Sequence, residues 1–338
     1  MTVKVEWLDD WDRIAARAGD ALGRAGQPCL FDRLDWFRLI GEHLYPGTRP
    51  SVLHAESGSG NGWLFLVGDT PRRGLAPTKW YGLSWRPILT GDAQPLLDAL
   101  LREAARRFDH LVLHPLDAGE AARLGGALRH AGWHVFSDRV STNWTIDVSG
   151  KGFADYWRQR PGQLRNTAAR RMRRYPLDIV IHRRFDPTVW ADYEAIYADS
   201  WKPAEGSMPF LRALAEQEGE AGTLRLGIAK DRHGRAIAAQ LWLVENGVAT
   251  IHKLAHREGA KDISPGTILS HAMFRAAIDE DRIDRIDFGL GDEPYKAEWM
   301  DTANPIFRID AYRPGSVRGL AGIGRERAAR LVRRFRGR

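Results

Sequence analysis

The chain has 338 residues, enough for about two domains, and its 43% hydrophobic content supplies ordinary globular cores. Its single cysteine, Cys29, excludes an intramolecular disulfide and a cysteine-based zinc cluster. Residues 317–338 hold eight arginines and one glutamate, which account for the whole net charge of +7, so the neutral remainder does not indicate a general nucleic-acid-binding surface.

The N-terminal residues and the lengths of the apolar runs predict a cytoplasmic protein. Residues 1–16 lack the basic start and the apolar stretch of a signal peptide. No apolar run reaches the roughly 18 residues that a spanning helix needs. We therefore expect a cytoplasmic location, with a peripheral position on the inner membrane as an option that depends on the basic tail.

Residues 1–150 alternate between predicted helices and strands, which is typical of an α/β lobe. Helices are predicted near 8–24, 33–44, 93–108 and 118–131, and strands at 51–56, 63–68, 110–116 and 133–148. The glycine- and serine-rich stretch 57–62 has the composition of a hairpin-type loop.

Residues 151–175 predict a helical linker between two lobes. The helical pattern is broken at Pro161-Gly162 and ends before Pro176. The linker is strongly basic, with Arg165, Arg170, Arg171, Arg173 and Arg174. A strand at 177–185 and a helix at 187–201 are predicted to follow.

From residue 222 the pattern predicts a sheet with one long helix. Strands are predicted at 222–231, 236–247, 248–256, 283–292 and 305–314, with a loop and a helix of about four turns between the third and the fourth. Asn246-Gly247 is a strong signal for a tight hairpin turn.

The loop and helix after the third of these strands carry the residues of an anion site. Ser264 is a natural N-cap, Pro265 suits the first helical position, and Gly266 has no side chain to block a ligand. The free amides of a first turn and the helix dipole favour an anion there. An apolar stripe is predicted to dock this helix on the sheet: Ile268, Leu269, Ala272, Met273 and Ala276. An ordinary capped helix is the alternative interpretation.

Residues 150–312 resemble the CelD-like, cellulose-biosynthesis-associated branch of the GNAT acyltransferase superfamily. The resemblance rests on a small-residue loop at 265–267 and on a motif that reads D-F-G-x-G-D-x-x-Y-K. The positions of that motif are Asp287, Phe288, Gly289, Gly291, Asp292, Tyr295 and Lys296. The arginine-rich stretch 164–181 also resembles the entry segment of the branch. The N-terminal half is similar to the family's other half in layout.

The resemblance implies an acyl-CoA co-substrate. First-turn amides at Gly266 and Thr267 would hold its pyrophosphate, beside Ser264 and Lys296. The chain departs from simple GNAT enzymes, because it has one glycine where they have a fuller Gln/Arg-x-x-Gly-x-Gly/Ala loop. The related FemABX enzymes share the double fold and use aminoacyl-tRNA, which keeps a second donor open.

Amide formation needs a base for the incoming amine, a stabiliser for the oxyanion and an acid for the leaving thiolate. The resemblance places Tyr295 as the acid and puts an oxyanion-binding amide on a splayed strand around residues 253–255. Asp287 and His252 are the candidate bases, although Asp287 equally fits a turn-capping role. His252 and His256 share a strand face, but with no third ligand in the pattern we expect no metal.

The acceptor site and the tail are predicted from aromatic and basic residues. Trp201, Lys202 and Arg165 are candidate substrate contacts, whereas Trp242 on a central strand fits a core role. The tail, 317–338, has apolar residues at helical spacing between arginines. Such a helix fits an anionic membrane surface, with about 1 kcal/mol for each basic residue near it, or RNA, or it stays a disordered soluble tail.

Together these observations predict an α/β protein with tandem GNAT-like (acyl-CoA N-acyltransferase) lobes, each a mixed, mostly antiparallel sheet flanked by helices. The expected parts are a degenerate N-terminal lobe (1–148), a catalytic C-terminal lobe (149–313) and the basic tail (314–338). The predicted activity is N-acyl transfer from acyl-CoA to a primary amine, with a long-chain, sphingoid-type amine favoured by the tail. The alternatives are aminoacyl transfer from charged tRNA, which would make nucleic acid a partner, and a non-catalytic role in envelope polysaccharide assembly.

Overall fold

The computed structural model describes residues 2–58 and 60–336 and divides the chain into two compact units. Unit 1 comprises Met1–Ser141 together with Pro305–Arg338, and unit 2 comprises Thr142–Asn304. Two predicted features extend beyond the described residues, because Ser59 of the loop at 57–62 and Gly337-Arg338 of the tail lie outside them. Among the described residues no helix is both long and apolar enough to cross a membrane.

Unit 1 is built on a sheet with the strand order β1-β2-β3-β4-β6-β13, with β5 beside β3. Its strands are β1 (Lys4–Leu8), β2 (Pro50–Ser57), β3 (Gly60–Thr70), β4 (Arg73–Leu75), β5 (Ile88–Leu89), β6 (His110–Leu116) and the greater part of β13 (Thr302–Tyr312). Its helices are α1 (Trp11–Ala18), α2 (Leu34–Leu44), α3 (Ala93–Arg107), α4 (Ala118–His130) and α11 (Val317–Arg336). Only β4 and β6 pair in parallel, among the pairs described in this unit.

Unit 2 is built on a sheet with the strand order β7-β12-β11-β10-β9-β8. Its strands are β7 (His134–Asp147, from Thr142 onwards), β8 (Asp178–His182), β9 (Leu224–Lys230), β10 (Ala236–Glu245), β11 (Val248–His256) and β12 (Arg285–Leu290). Its helices are α5 (Phe153–Arg158), α6 (Gly162–Arg174), α7 (Pro187–Ala198), α8 (Met208–Glu220), α9 (Pro265–Arg275) and α10 (Lys296–Trp299). The β11–β12 pair is parallel, and the other pairs described here are antiparallel.

The strand that the sequence places at the end of the C-terminal lobe pairs with unit 1. Residues Phe307 to Tyr312 of β13 lie antiparallel to β6, with Ile309 opposite Leu113. Ile309 is fully buried, so this part of β13 contributes to the core of unit 1. The unit therefore combines the beginning and the end of the chain.

Helix α9 is anchored on the sheet of unit 2 by its apolar face. Leu269 and Phe274 are fully buried, and Ile268 and Met273 nearly so. Each such side chain contributes about 1.5–3 kcal/mol through burial. Gly227 on β9 makes room for this contact, since a Cβ there would lie 2.4 Å from the Met273 sulfur. The predicted docking of this helix thus has a specific partner strand.

Candidate active site

The cavity of unit 2 opens where β11 and β12 cease to pair. Their parallel ladder covers Val248–Thr250 against Arg285–Asp287, although both strands continue, to His256 and Leu290. On its other side β11 carries an irregularity, because Leu241 faces Lys253 while Trp242 faces Ile251, which leaves His252 as the extra residue. Bulges of this kind redirect a strand and are common beside active sites.

A cavity of about 370 Å³ occupies the place where the two strands separate. Its apolar walls are Trp201, Leu254, Phe288 and Trp299, and its polar lining comprises Gln240, His256, Glu258, Lys261, Ser264, Gly266, Thr267, Ser270, Tyr295 and Glu298. An apolar pocket with a few converging polar groups is the usual form of a small-molecule site. The cavity brings together five of the predicted site residues: Trp201, Ser264, Gly266, Thr267 and Tyr295.

The N-terminus of α9 forms one end of this cavity. Ser264 occupies the N-cap position in a left-handed conformation (φ 59°), without a capping bond from its side chain. Its carbonyl accepts the amide of Thr267 at 3.1 Å, so one of the two amides expected to hold a phosphate is already engaged. The amide of Gly266 makes no hydrogen bond within the described part of the chain, which leaves it open to a ligand.

Gln240 supports the first turn of α9 from the neighbouring strand β10. Its buried amide nitrogen donates to the Ser270 hydroxyl at 2.7 Å and to the Gly266 carbonyl at 3.4 Å. Its amide oxygen accepts the indole N–H of Trp242 at 2.9 Å, and Trp242 is fully buried. The network holds the glycine turn at a fixed distance from the sheet, and it places Trp242 in the core.

The D-F-G-x-G part of the motif forms a stabilised turn at the end of β12. The Asp287 carboxylate accepts the amide of Gly289 at 2.8 Å and the side-chain amide of Asn143 at 3.1 Å. Burial raises the pKa of Asp287, and these two hydrogen bonds act in the opposite direction. Gly289 has a φ of 71° and Gly291 a φ of 133°, values that suit glycine. Asp287 therefore fixes this turn.

Lys296 closes the same turn from the other side. Its buried ammonium donates to the Leu290 carbonyl at 2.5 Å and pairs with Glu293 at 3.1 Å. Burial lowers the pKa of Lys296, while the Glu293 carboxylate raises it. A Cβ on Gly291 would lie 2.1 Å from the Glu293 carboxylate and 2.8 Å from the Lys296 nitrogen. Lys296 and Gly291 thus depend on each other.

Tyr295 is presented to the cavity by this turn. It precedes α10, its ring meets Phe288 edge-on with centroids 5.8 Å apart, and 41% of its surface is exposed. Burial of the hydroxyl and the nearby Glu293 carboxylate raise the pKa of Tyr295 to about 12. The phenol therefore keeps its proton at neutral pH and can act as an acid.

The two histidines of β11 occupy different surroundings. His252 is buried at the strand irregularity. His256 lines the cavity, and its ring lies 4.1 Å from the Trp201 ring, centroid to centroid. Burial lowers the pKa of His256, with a further lowering from Lys261 and Lys202 and an opposing effect from Glu258. An imidazole that is neutral at pH 7 is an effective proton acceptor.

Behind Trp201 lies a cluster of charged side chains. Burial lowers the pKa of Lys202 to about 8, and the neighbouring Lys253 lowers it further while Glu205 raises it. The Lys253 ammonium lies 3.3 Å from the Glu205 carboxylate, with both side chains largely buried. Arg165, the third predicted substrate contact, lies on α6, and its Nε donates to the Arg160 carbonyl at 3.1 Å.

Several cavity residues escaped the sequence analysis. Gln240 carries a detectable signal, because it is the one polar residue in the apolar run 236–244 of a central strand. Glu258 and Lys261 fall in a short 3₁₀ segment, Glu258–Ile263, that has no sequence signature of its own. Glu298 and Trp299 face the cavity only because the turn after β12 folds back, which local sequence does not reveal.

The comparisons with known proteins agree with this architecture. Residues 158–297 match the family model described as an acetyltransferase (GNAT) domain. No curated protein is significantly similar to the chain in sequence.

Three solved structures illustrate the likeness in fold. The DUF2156 domain from Agrobacterium fabrum, the C-terminal domain of a protein assigned as a lysylphosphatidylglycerol synthetase, has 13% identity and a TM-score of 0.58, covering 93% of this chain and 95% of that chain. FemX has 11% identity and a TM-score of 0.57, covering 81% and 94%. A tandem GNAT protein from the clavulanic acid biosynthesis pathway has 13% identity and a TM-score of 0.52, covering 93% and 100%.

These findings define the class of protein. The chain has a tandem GNAT-like acyltransferase fold, which confirms the predicted fold class. Its GNAT domain contains the cavity at α9, and the domain match ends at Ala297, just after the Tyr295-Lys296 pair.

Proposed function

We propose that the chain is an acyl-CoA-dependent N-acyltransferase that acylates a primary amine in a direct ternary complex. The observation that carries this proposal is the cavity between the separated strands β11 and β12, with a helix N-terminus at one end and Tyr295 on its wall. A thioester needs an anion site for its phosphates, an apolar path for its acyl chain and an acid for its sulfur. The cavity offers a residue for each need.

The donor's pyrophosphate binds at the N-terminus of α9 in this proposal. The open amide of Gly266 and the positive end of the helix dipole favour the negative charge. Lys261 adds a cation at the same cavity, and Ser264 and Thr267 add hydroxyls. Lys296 contributes indirectly, because its ammonium holds the turn that carries Tyr295.

The chemical step follows from the groups around the cavity. The amine nitrogen attacks the thioester carbon, and a backbone amide of β11 near residues 253–255 stabilises the oxyanion. His256 accepts the proton that the amine loses, and Tyr295 protonates the departing thiolate. We favour His256 over His252 and Asp287 as the base, since His256 lines the cavity whereas Asp287 is bonded to Gly289 and Asn143.

Unit 1 is a degenerate lobe in the same proposal. Its parallel pair, β4 with β6, has a local arrangement like that of β11 with β12. Beyond this pair the chain folds back, with the Ala76 amide on the Val112 carbonyl at 2.9 Å. Tyr81 and Trp85 are almost fully buried there, so bulky side chains fill the space after the strands. We therefore assign catalysis to unit 2.

The acceptor is a long-chain, sphingoid-type amine at an anionic membrane surface. The support comes from α11, whose apolar residues at helical spacing remain exposed: Val317, Leu320, Leu331, Val332 and Phe335. Arginines flank this stripe, with Arg318 and Arg325 on one side and Arg327 on the other. Apolar exposure between cations is the pattern of a helix that lies in a membrane interface.

The CelD-like branch is the part of the superfamily that we propose for this chain. The motif at 287–296 supports it, since Asp287, Gly289, Gly291 and Lys296 all stabilise one turn. A shared motif with this geometric purpose is more informative than a shared composition. The motif leaves the acceptor undefined, because its residues surround the donor side of the cavity.

Aminoacyl transfer from charged tRNA is a second candidate. The likeness to FemX prompts it, and the FemABX resemblance implies such a donor. The exposed arginines of α6, among them Arg170, Arg173 and Arg174, offer a basic surface for RNA backbone. Binding of this kind would weaken steeply as salt rises.

A product assay separates the two donors. The full chain is incubated with a long-chain amine and either palmitoyl-CoA or charged tRNA, and the amide is detected by mass spectrometry while free thiol is measured. We expect amide and thiol in equal amounts with acyl-CoA. Amide from charged tRNA alone would overturn the proposal, and no product with either donor, while acyl-CoA fails to bind, would support the non-catalytic alternative.

A further inference from the structure

Unit 1 contains a second cavity, of about 750 Å³, beside helix α11. It is lined by Arg73, His110, Asp138, Arg139, Val140, Arg308, Asp310, Tyr312, Gly322, Arg325, Glu326, Ala329 and Arg333. Five arginines and one histidine thus face three carboxylates. The cavity belongs entirely to unit 1, so it is separate from the acyl-transfer site.

The three carboxylates of this cavity are already paired within the protein. Asp310 accepts from His110 at 2.9 Å and from the Arg308 Nε at 2.7 Å. Asp138 pairs with Arg330. Glu326 pairs with Arg330 and Arg333, both at 3.0 Å. The acids are therefore neutralised, and the arginine donors that remain decide what the cavity attracts.

Several of those donors are unused. The Nε of Arg73 is buried and has no hydrogen-bond partner among residues 2–58 and 60–336. Arg325 is exposed, and no described residue pairs with its guanidinium. A buried donor without a partner is costly, so a ligand that accepts from Arg73 would bind with a gain.

The walls of the cavity are rigid. The His110 ring stacks on the Tyr312 ring with centroids 4.1 Å apart and planes 13° from parallel. Helix α11 approaches Tyr312 closely, since a Cβ on Gly322 would lie 2.4 Å from its ring. The side chains that α11 turns to the cavity, from Gly322 to Arg333, are three or four residues apart and form one helix face. A fixed basic face is suited to a small multivalent anion.

We propose that this cavity binds a phosphate monoester, as a soluble metabolite or as the headgroup of an anionic lipid. A guanidinium group matches the geometry of phosphate oxygens and stays charged at all physiological pH values. The cavity volume of about 750 Å³ exceeds that of a phosphate ion, so an organic group attached to the phosphate fits as well. This inference does not depend on the proposed acyl transfer.

Calorimetry of the full chain with glycerol 3-phosphate tests the inference. We expect saturable binding that falls about tenfold for each lost charged contact in Arg73→Gln and in Arg325→Gln. Arg327→Gln is the matched control, because it removes an exposed arginine of the same helix that does not line the cavity. We expect the control to bind within about twofold of the native chain.

Vesicle flotation then identifies the source of the phosphate. If phosphatidic acid vesicles bind less well after Arg325→Gln and are displaced by glycerol 3-phosphate, the ligand is a lipid headgroup. If vesicle binding is unchanged by both, the ligand is a soluble phosphate monoester. The proposal is overturned if the folded native chain shows no saturable binding at millimolar glycerol 3-phosphate, or if Arg327→Gln weakens binding as much as Arg325→Gln does.

Discussion

Tyr295 and Lys296 are neighbours in the chain with opposite surroundings. Tyr295 is 41% exposed at the cavity, whereas Lys296 is 5% exposed and bonded to Leu290 and Glu293. The motif therefore divides its work, because the lysine shapes the turn and the tyrosine faces the substrate. A conservative change at Tyr295 tests its chemistry without disturbing the turn.

Tyr295→Phe removes only the hydroxyl. With a pKa raised to about 12, this phenol is protonated at neutral pH and can give its proton to a thiolate. We expect turnover to fall by about 10²-fold with acyl-CoA affinity retained, since the acid is lost while the donor contacts remain. Single-turnover kinetics provides the measurement. Turnover near the native value, with chemistry rate-limiting, would remove Tyr295 from the mechanism.

His256→Gln tests the base through pH dependence. A base acts in its deprotonated form, so activity rises with pH through the pKa of the group. Burial lowers the pKa of His256 below its usual 6.5, and the acidic limb of kcat/KM should therefore lie below that value. The variant should lose this limb and about 10²-fold in rate. A limb that persists unchanged in His256→Gln would assign the proton to another group.

At this scale the sequence predicts residues whose chemistry is local. Ser264, Gly266, Thr267 and Tyr295 follow from a short loop and a short motif, and all four line the cavity. Gln240 and Trp299 reach it from distant parts of the chain through the register of β10 and the fold of the turn after β12. Such contacts depend on tertiary packing, which no short pattern encodes.

Elements of the chain owe their positions to a few close approaches. The turn between β12 and α10 needs Gly291, and helix α11 needs glycines on its packed face. Gly322 and Ile323 are buried, and a Cβ on Gly319 would lie 1.8 Å from the Arg313 carbonyl. Helix α11 therefore has one face on unit 1 and its apolar stripe in solvent, which a soluble role alone does not explain.

Gly291→Ala should destabilise unit 2. The new Cβ would meet Glu293 and Lys296, and the φ of 133° is unfavourable for alanine. We expect a loss of about 1–3 kcal/mol in the free energy of unfolding, together with lower turnover because Tyr295 shifts. Thermal unfolding gives the measurement. Gly162→Ala is the control, since a Cβ there meets nothing within 4 Å, and equal stabilities for the two variants would refute the clamp.

The apolar stripe of α11 should be required for membrane binding. Leu320→Gln, Leu331→Gln and Phe335→Gln together leave the packed face intact, so stability should change by no more than about 0.5 kcal/mol for each. We expect binding to anionic vesicles to be lost, whereas Val180→Gln, at an exposed apolar residue of β8, should not affect it. Retained vesicle binding by the triple variant would end the membrane proposal and the main support for a long-chain acceptor.

Deleting the whole helix would be a weaker experiment. Truncation after Pro314 also removes Ile323 from the core and uncovers Tyr312. A loss of activity could then report unfolding of unit 1 instead of lost membrane contact. Substitution of exposed residues separates the two effects.

The whole molecule shows which kinds of sequence signal determine a fold. The α/β class and the order of most elements follow from hydrophobic periodicity and from glycine and proline signals. Residues 202–221 gave no interpretation, yet α8 forms there, with Ser207 capping it through the Phe210 amide at 3.2 Å. The position of β13 depends on pairing with β6, about two hundred residues earlier in the chain, and only long-range register decides such a pairing.

The two units also differ in what they can do. The space beyond β4 and β6 is filled by Tyr81 and Trp85, and the space beyond β11 and β12 is the cavity. If the whole molecule is an acyl-CoA enzyme with its donor site in unit 2, then one small change at the N-terminus of α9 should affect donor binding specifically.

Calorimetric titration of the full chain with acyl-CoA, before and after Gly266→Val, tests this central claim most directly. A Cβ at Gly266 would lie 3.6 Å from the His256 ring, an ordinary contact, so the variant should fold normally and keep its melting temperature. Valine would cover the open amide, and we expect saturable binding by the native chain to weaken by about tenfold or more in the variant. Equal affinities in the two folded proteins, or no binding by the native chain, would contradict the account.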